Sequence, residues 1–211
     1  MRPGPQESPP HREREKRMDK VEKLKDGTDI VIRDLHLDDL DALVAFYRSL
    51  PREDRKYLRV DVTDKKVVAL RMKRMERGDD IRIVALRDAE IVADGHVELS
   101  GDQWSKHQGE IRVIVSRDFQ NKGLGTVMIR ELYFIAVQRN LEIIVARMMR
   151  PQVGAQKVFR KLGFRESQYL PDFVRDIEGE SQDLIVMTCD IKDLWKQLDR
   201  LYSESDWERC R

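Results

Sequence analysis

Residues 109–149, GEIRVIVSRDFQNKGLGTVMIRELYFIAVQRNLEIIVARMM, constrain this chain more than any other segment. GEIRVIV reads as a strand of β-branched residues, and LEIIVARMM is an apolar run of strand length. Between them lies a long amphipathic helix preceded by Gly123-Leu124-Gly125. Two glycines at a helix start cost conformational entropy, so their use points to a backbone that something must approach closely. A helix start offers free N–H groups and the positive end of the helix dipole, which together suit an anion such as phosphate.

The flanking segments extend the pattern. DIVIRDL (29–35) reads as a strand, and Leu37, Leu40, Val44, Tyr47 and Leu50 mark one face of a helix that Pro51 stops. Val68, Met72 and Met75 mark a second helix with Gly78 beyond its end. IRIVALRD and EIVADGHVEL form two strands joined by a tight turn. PQVGAQKVFRKLGF reads as a helix with Pro151 near its start and Gly163 past its end. The polar stretch RESQYLPDFVRDIEGESQ then leads to a last strand, DLIVMTCDI. The order β-α-α-β-β-β-α-β-α-β predicts an α/β fold, a mixed sheet with helices on both faces.

Residues 1–26 are expected to be a disordered or frayed charged arm, because the proline-rich start and HREREKRMDKVEKLK offer little to bury. Residues 27–191 would form one domain, and 192–211 an amphipathic helix and tail. Of 211 residues, 40 are basic and 39 acidic, and a net charge of +1 gives no reason to expect nucleic acid or anionic lipid as a partner. No apolar run approaches a membrane span. The two cysteines, Cys189 and Cys210, form neither a disulfide framework nor a metal spacing, so a cytoplasmic location without a bound metal is expected.

Gln120-Asn121-Lys122-Gly123-Leu124-Gly125 fits [Q/R]-x-x-G-x-[G/A] after a strand, and a later helix ends in Gly163-Phe164. This combination resembles the GNAT superfamily of N-acetyltransferases over residues 29–191, in type nearest to bacterial protein-lysine acetyltransferases. The resemblance implies a mostly antiparallel GNAT-type sheet with a splayed central strand pair, and acetyl-CoA as acyl donor. It implies that Gln120, Asn121, Lys122, Gly123, Leu124, Gly125 and Thr126 wrap the pyrophosphate. Val113, Ile114 and Val115 would pair their main chain with the pantetheine arm. Gln152 would sit where an asparagine often contacts the cofactor, and Phe159 where many relatives carry a tyrosine that protonates the leaving thiolate.

The implied reaction is attack of a neutral amine on a thioester, which needs a base. Glu110 opens the central strand at the distance from Gln120 that a catalytic glutamate has in some relatives, and is the expected base. Glu98 stands in reserve, and His96 and His107 are further candidates. Tyr169 is an alternative proton donor to the thiolate in the place of Phe159. Trp104 either touches substrate or anchors its loop, and Arg147 and Arg150 either meet the 3′-phosphate or are solvated. Cys189 and the pair Met148-Met149 read as core.

SLPREDRKYLRVDVTD (49–64) resembles in part a segment of protein-lysine acetyltransferases, with Arg59-Val60 in place of Arg-Phe. In such proteins this region and the late loop, here residues 169–180, wall the acceptor cleft. Asp172, Asp176, Glu178 and Glu180 would draw a cationic amine, either a protein lysine or a small amine. The rival reading, favoured by Phe159, is a non-catalytic acyl-CoA sensor.

Overall fold

The computed structural model describes residues 19–193. In chain order these form β1 (Lys20–Lys23), β2 (Asp29–Asp34), α1 (Leu40–Ser49), α2 (Arg52–Arg55), α3 (Lys65–Arg77), β3 (Asp80–Arg87), β4 (Glu90–Leu99), β5 (Gln108–Val115), α4 (Leu124–Gln138), β6 (Ile143–Met149), α5 (Val153–Lys161), β7 (Arg165–Arg175) and β8 (Ser181–Asp190). The strands make a single sheet in the order β1-β2-β3-β4-β5-β6-β8-β7. Every neighbouring pair is antiparallel except β5 and β6, which run parallel across the α4 crossover. The mixed α/β fold expected from the element order is present, and the sheet is mostly antiparallel, as the family resemblance implies.

Local chemistry sets the boundaries. The Asp64 carboxylate accepts from the Lys66 N–H at the start of α3, and Gly78 closes the helix at φ 80°, where a side chain would be strained. Leu37, expected within α1, lies instead in a 3-10 turn before it and is half exposed. The β3–β4 hairpin turns through Asp88 and Ala89, both at positive φ, the geometry that matches the twist of the flanking strands.

The sheet separates two cores. On one face α1 and α3 bury Leu43, Val44, Phe46, Val68 and Met72 against Val84 and Ile91. On the other, α4 and α5 bury Leu124, Met128, Leu132 and Phe159 against Ile83, Val97 and Ile111. Gly95 lets α4 lie close, since a Cβ there would meet Leu132 Cδ1 and Met128 Cε at 3.1 Å. The first face is also unusually polar. Arg82 and Asp94, with side chains 1% and 0% exposed, lie 3.5 Å apart, and the Tyr47 hydroxyl donates to Asp94 at 2.7 Å. Partnered charges of this kind are tolerated in a core where isolated ones are not.

Two edge strands differ from the sequence expectation. The run read as a frayed helix ends in β1, whose backbone pairs with β2 from Lys20↔Ile32 to Lys23↔Asp29. Of its apolar residues Leu24 is buried at 4% exposure and Val21 stays exposed, while Glu22 reaches Arg130 and Lys20 reaches Glu131 on α4, each at 2.7 Å. The polar stretch after Gly163 is β7, bulged between Glu166 and Gln168 and between Leu170 and Val174. An edge strand open to water needs no apolar alternation, so the usual sequence signal is missing. The final helix expected in 192–211 falls outside the described residues, apart from its first two. Within them no helix is long and apolar enough to cross a membrane.

Candidate active site

The parallel pairing of β5 with β6 covers just Gln108↔Ile143, Gly109↔Ile144 and Glu110↔Val145. Beyond it each strand keeps its outer neighbour: β5 stays on β4 as far as Val115↔Ala93, and β6 stays on β8 as far as Met149↔Leu184. A wedge therefore opens between them, with Glu110 at its apex. Val113, Ile114 and Val115 line the β5 side, half-buried. Main-chain groups along the inner edges face no strand partner there, which suits an inserted chain bearing amide groups.

The wide end of the wedge meets the start of α4. Gly123 is the N-cap at φ 95° and no side chain caps the helix. Asn121 is also left-handed, at φ 62°. The Gln120 amide turns back to donate to the Val115 carbonyl at 3.2 Å, fixing the loop on the strand. A Cβ on Gly125 would find only Val115 Cγ2, at 3.9 Å, so nothing in the protein requires glycine there and the backbone lies open. Leu124 anchors the turn in the core, fully buried, and Thr126 follows in the first helical turn. Lys122, expected at the pyrophosphate, pairs its ammonium group with Asp26 at 3.1 Å. The Lys25 N–H also donates to the Lys122 carbonyl at 3.1 Å, so the segment after β1 braces this loop. The arrangement fits a diphosphate over N–H groups with a thin amide-bearing arm in the wedge.

Glu110 is 11% exposed in its side chain and held by three arginines. Arg59 and Arg147 close on opposite carboxylate oxygens, and Arg112 Nε donates from 3.3 Å. Arg112 and Arg74 continue to Glu98 at 3.0 and 2.8 Å, which engages that reserve carboxylate on both oxygens. His96 is buried, and burial with Arg82 and Arg71 beside it pushes its pKa well below 6.5. His107 touches Gln108, with Nε2 to Nε2 at 3.4 Å. Trp104 is 87% exposed and anchors nothing.

On the α5 side, Gln152 Oε1 accepts from the Met149 N–H at 2.8 Å and its side chain borders a cavity at the mouth of the wedge. Phe159 does not face that cavity. It is 6% exposed and packs edge-on against Phe164, with ring centroids 4.9 Å apart. Tyr169 donates to Asp183 at 2.6 Å, and that carboxylate raises its pKa. Arg150 joins the same pair, at 3.2 Å from Asp183. Met148 and Met149 are buried, as is Cys189, whose thiol burial pushes up to about 11.

The cavity, about 330 Å³, is walled by residues 57–60 on one side and 174–177 on the other, the two regions expected to form the cleft. Three of the four acidic loop residues have partners within the protein. Asp176 is 6% exposed and accepts from the Glu178 and Glu180 N–H groups and from Gln182. Glu178 pairs with Arg52 at 2.9 Å, and Asp172 accepts from Ser181. Sequence reasoning left Arg59 and Arg147 without a role at the base, and the partial match around Arg59 was the one available signal. Among the described residues no group of His, Cys, Asp and Glu is placed to hold a metal ion.

The sequence matches the Acetyltransferase (GNAT) family over residues 40–164. No curated protein matches it. The fold is similar to that of the acetyltransferase of the GNAT family from Streptococcus pneumoniae (17% identity, 76% of this chain and 98% of that one, TM-score 0.66). It is also similar to ribosomal-protein-alanine N-acetyltransferase from Brucella melitensis (21%, 75% and 98%, 0.66) and to yncA of Salmonella typhimurium with its cofactor acetyl-CoA (16%, 77% and 94%, 0.67). The family match spans more than half of the chain and covers both the wedge and the glycine loop: the protein belongs to the GNAT acetyltransferase family.

Proposed function

We propose that this chain is an acetyl-CoA-dependent N-acetyltransferase that acts on a primary amine. The observation that carries this reading is the wedge between β5 and β6 opening onto an uncapped helix start with an exposed glycine backbone. Acetyl-CoA, when bound, supplies an activated thioester. The N–H groups of residues 120–126 hold its diphosphate, and the inner edge of Val113, Ile114 and Val115 takes the amide-bearing arm.

Glu110 stands at the apex of the wedge and receives the proton that the attacking amine releases. The chain offers no hydroxyl at Phe159, so the thiolate leaves unassisted, in keeping with a thiol pKa of about 8.5. A protein lysine is one acceptor of this kind, on the partial likeness of residues 49–64, and a small amine is the other.

The test is thiol release from acetyl-CoA with lysine peptides, free amino acids and polyamines, for the wild type beside Glu110→Gln. Turnover that falls at least ~10²-fold in the variant, with acetyl-CoA binding and thermal stability retained, supports the reading. Saturable binding without turnover of any acceptor would make the chain an acyl-CoA sensor instead.

A further inference from the structure

The cavity that opens on the wedge meets a substrate with arginines, not with carboxylates. Arg59, Arg147 and Arg175 line it, and among the described residues Asp176 is the one acidic residue in its wall. Asp176 already accepts two backbone N–H groups and the Gln182 amide, which leaves it little capacity for an ammonium group. Glu110 itself is absent from the wall. It lies behind Arg59 and Arg147, 11% exposed where their side chains are 39% and 43% exposed. A purely cationic acceptor entering here would reach two guanidinium groups before it reached the carboxylate, and would be repelled.

The same guanidiniums have donors to spare. A guanidinium carries five N–H groups in a planar fork. Among the described residues, Arg147 makes its side-chain hydrogen bonds to Glu110 alone, through Nη1. Arg59 likewise reaches Glu110 alone, through Nη1 and Nη2. Two forks converging from opposite sides on one carboxylate are also arranged to grip a second. Most of the remaining wall is apolar, with Leu58, Val60, Met148, Val174, Ile177 and Leu184 among it, and Tyr57 and Gln152 add polar atoms. The site thus offers paired cations beside an aliphatic surface.

From this we infer that the acceptor is a small amine that also carries a carboxylate, an amino acid or close analogue, and that this carboxylate docks on Arg59 and Arg147. The inference rests on the acetyltransferase reading of the same site. The reaction balances as for any amine acceptor: a C–N amide bond forms, the thioester C–S bond breaks with the sulfur leaving as thiolate, and the proton lost by nitrogen is taken by Glu110 and released to solvent. Docking also draws Arg59 and Arg147 partly off Glu110, so the group that takes the proton is uncovered by the substrate that supplies it.

The experiment compares the full chain with matched acceptors: the common amino acids, their α-carboxamides, the corresponding amines lacking the carboxylate, and an end-blocked lysine peptide without acidic residues. Thiol release should give at least one amino acid a kcat/KM at least ~10²-fold above those of its amide and amine, because a site built for a hydrogen-bonding group rejects analogues that lack it. In Arg147→Leu the preference should collapse, mainly through KM, and Arg147→Lys should recover part of it. Equal rates for acid and amide, or a blocked peptide that outpaces every amino acid, would overturn the inference while leaving the acetyltransferase standing. Were no amine turned over at all, the proposed function would fall. Calorimetry in the presence of CoA would then decide the docking: amino acids must bind and their amides must not, or the inference falls too.

Discussion

Replacing His96 by Leu should alter the response of this fold to acid far more than its stability at neutral pH. His96 is 4% exposed on β4, and neither ring nitrogen has a hydrogen-bond partner among the described residues. Burial lowers its pKa first, and the nearby charges of Arg82, Arg71, Arg59 and Arg74 lower it further, well below 6.5. The folded protein therefore keeps the ring neutral, whereas the unfolded chain takes up a proton once the pH drops below 6.5. Below that point the unfolded state binds more protons, so stability present above it is lost as the pH falls. One proton of difference corresponds to about 1.4 kcal/mol per pH unit, or about 2 kcal/mol between pH 6.5 and 5.0. Carboxylate titrations contribute in the same range, but they are common to wild type and His96→Leu. Urea melts of both proteins at pH 7.5, 6.5, 5.5 and 5.0, followed by circular dichroism, isolate the histidine. At pH 7.5 the two should lie within about 1 kcal/mol, since leucine removes two unpaired polar atoms along with the ring. At pH 5.0 the variant should be the more stable by about 2 kcal/mol relative to that baseline. Parallel stability curves for the two proteins would refute the reasoning, because they would mean that His96 takes up its proton equally in both states.

Two further substitutions test the site's construction. Phe159→Tyr, which adds the hydroxyl that the family resemblance would place there, should not speed thiol release; it should destabilise the fold by about 1–3 kcal/mol in urea melts, because the new hydroxyl enters a packed contact with Phe164. Gly123→Ala forces a side chain into a left-handed backbone at φ 95° and should weaken acetyl-CoA binding in calorimetry, with about 1 kcal/mol lost from the stability of the chain.

Much of this fold was legible because its central strands and helices repeat apolar residues at the expected periods. Val68, Met72 and Met75 announced the buried face of α3, and the long apolar run at 143–149 announced β6. The glycine loop was legible for the same kind of reason, since Gly123 answers to a local backbone demand. What sequence could not show depended on partners far along the chain. Lys122 read as part of the phosphate loop, and its pairing with Asp26 in the turn after β1 had no signal in the sequence. Glu110 read as the base, but nothing in the sequence announced that Arg59 and Arg147, 51 and 37 residues away, converge on it. Asp176 looked like bait for an amine, and instead staples its own loop. A charged residue advertises its charge in a sequence but not the neighbour that uses it.

The family match, residues 40–164, takes in β3, β4, β5 and β6, which are the four middle strands of the sheet, and leaves out two strands on either side. What makes this chain recognisable therefore sits at the centre, where the wedge and the glycine loop are. The margins support it from outside: β1 leads into the turn that steadies the loop, and the β7–β8 hairpin supplies Val174, Arg175, Asp176, Ile177 and Leu184 to the cavity wall. A fragment trimmed to the recognisable segment would thus keep the wedge, the glycine loop, Arg59 and Arg147, while losing one whole side of the cavity and the strand that leads into the brace of the loop.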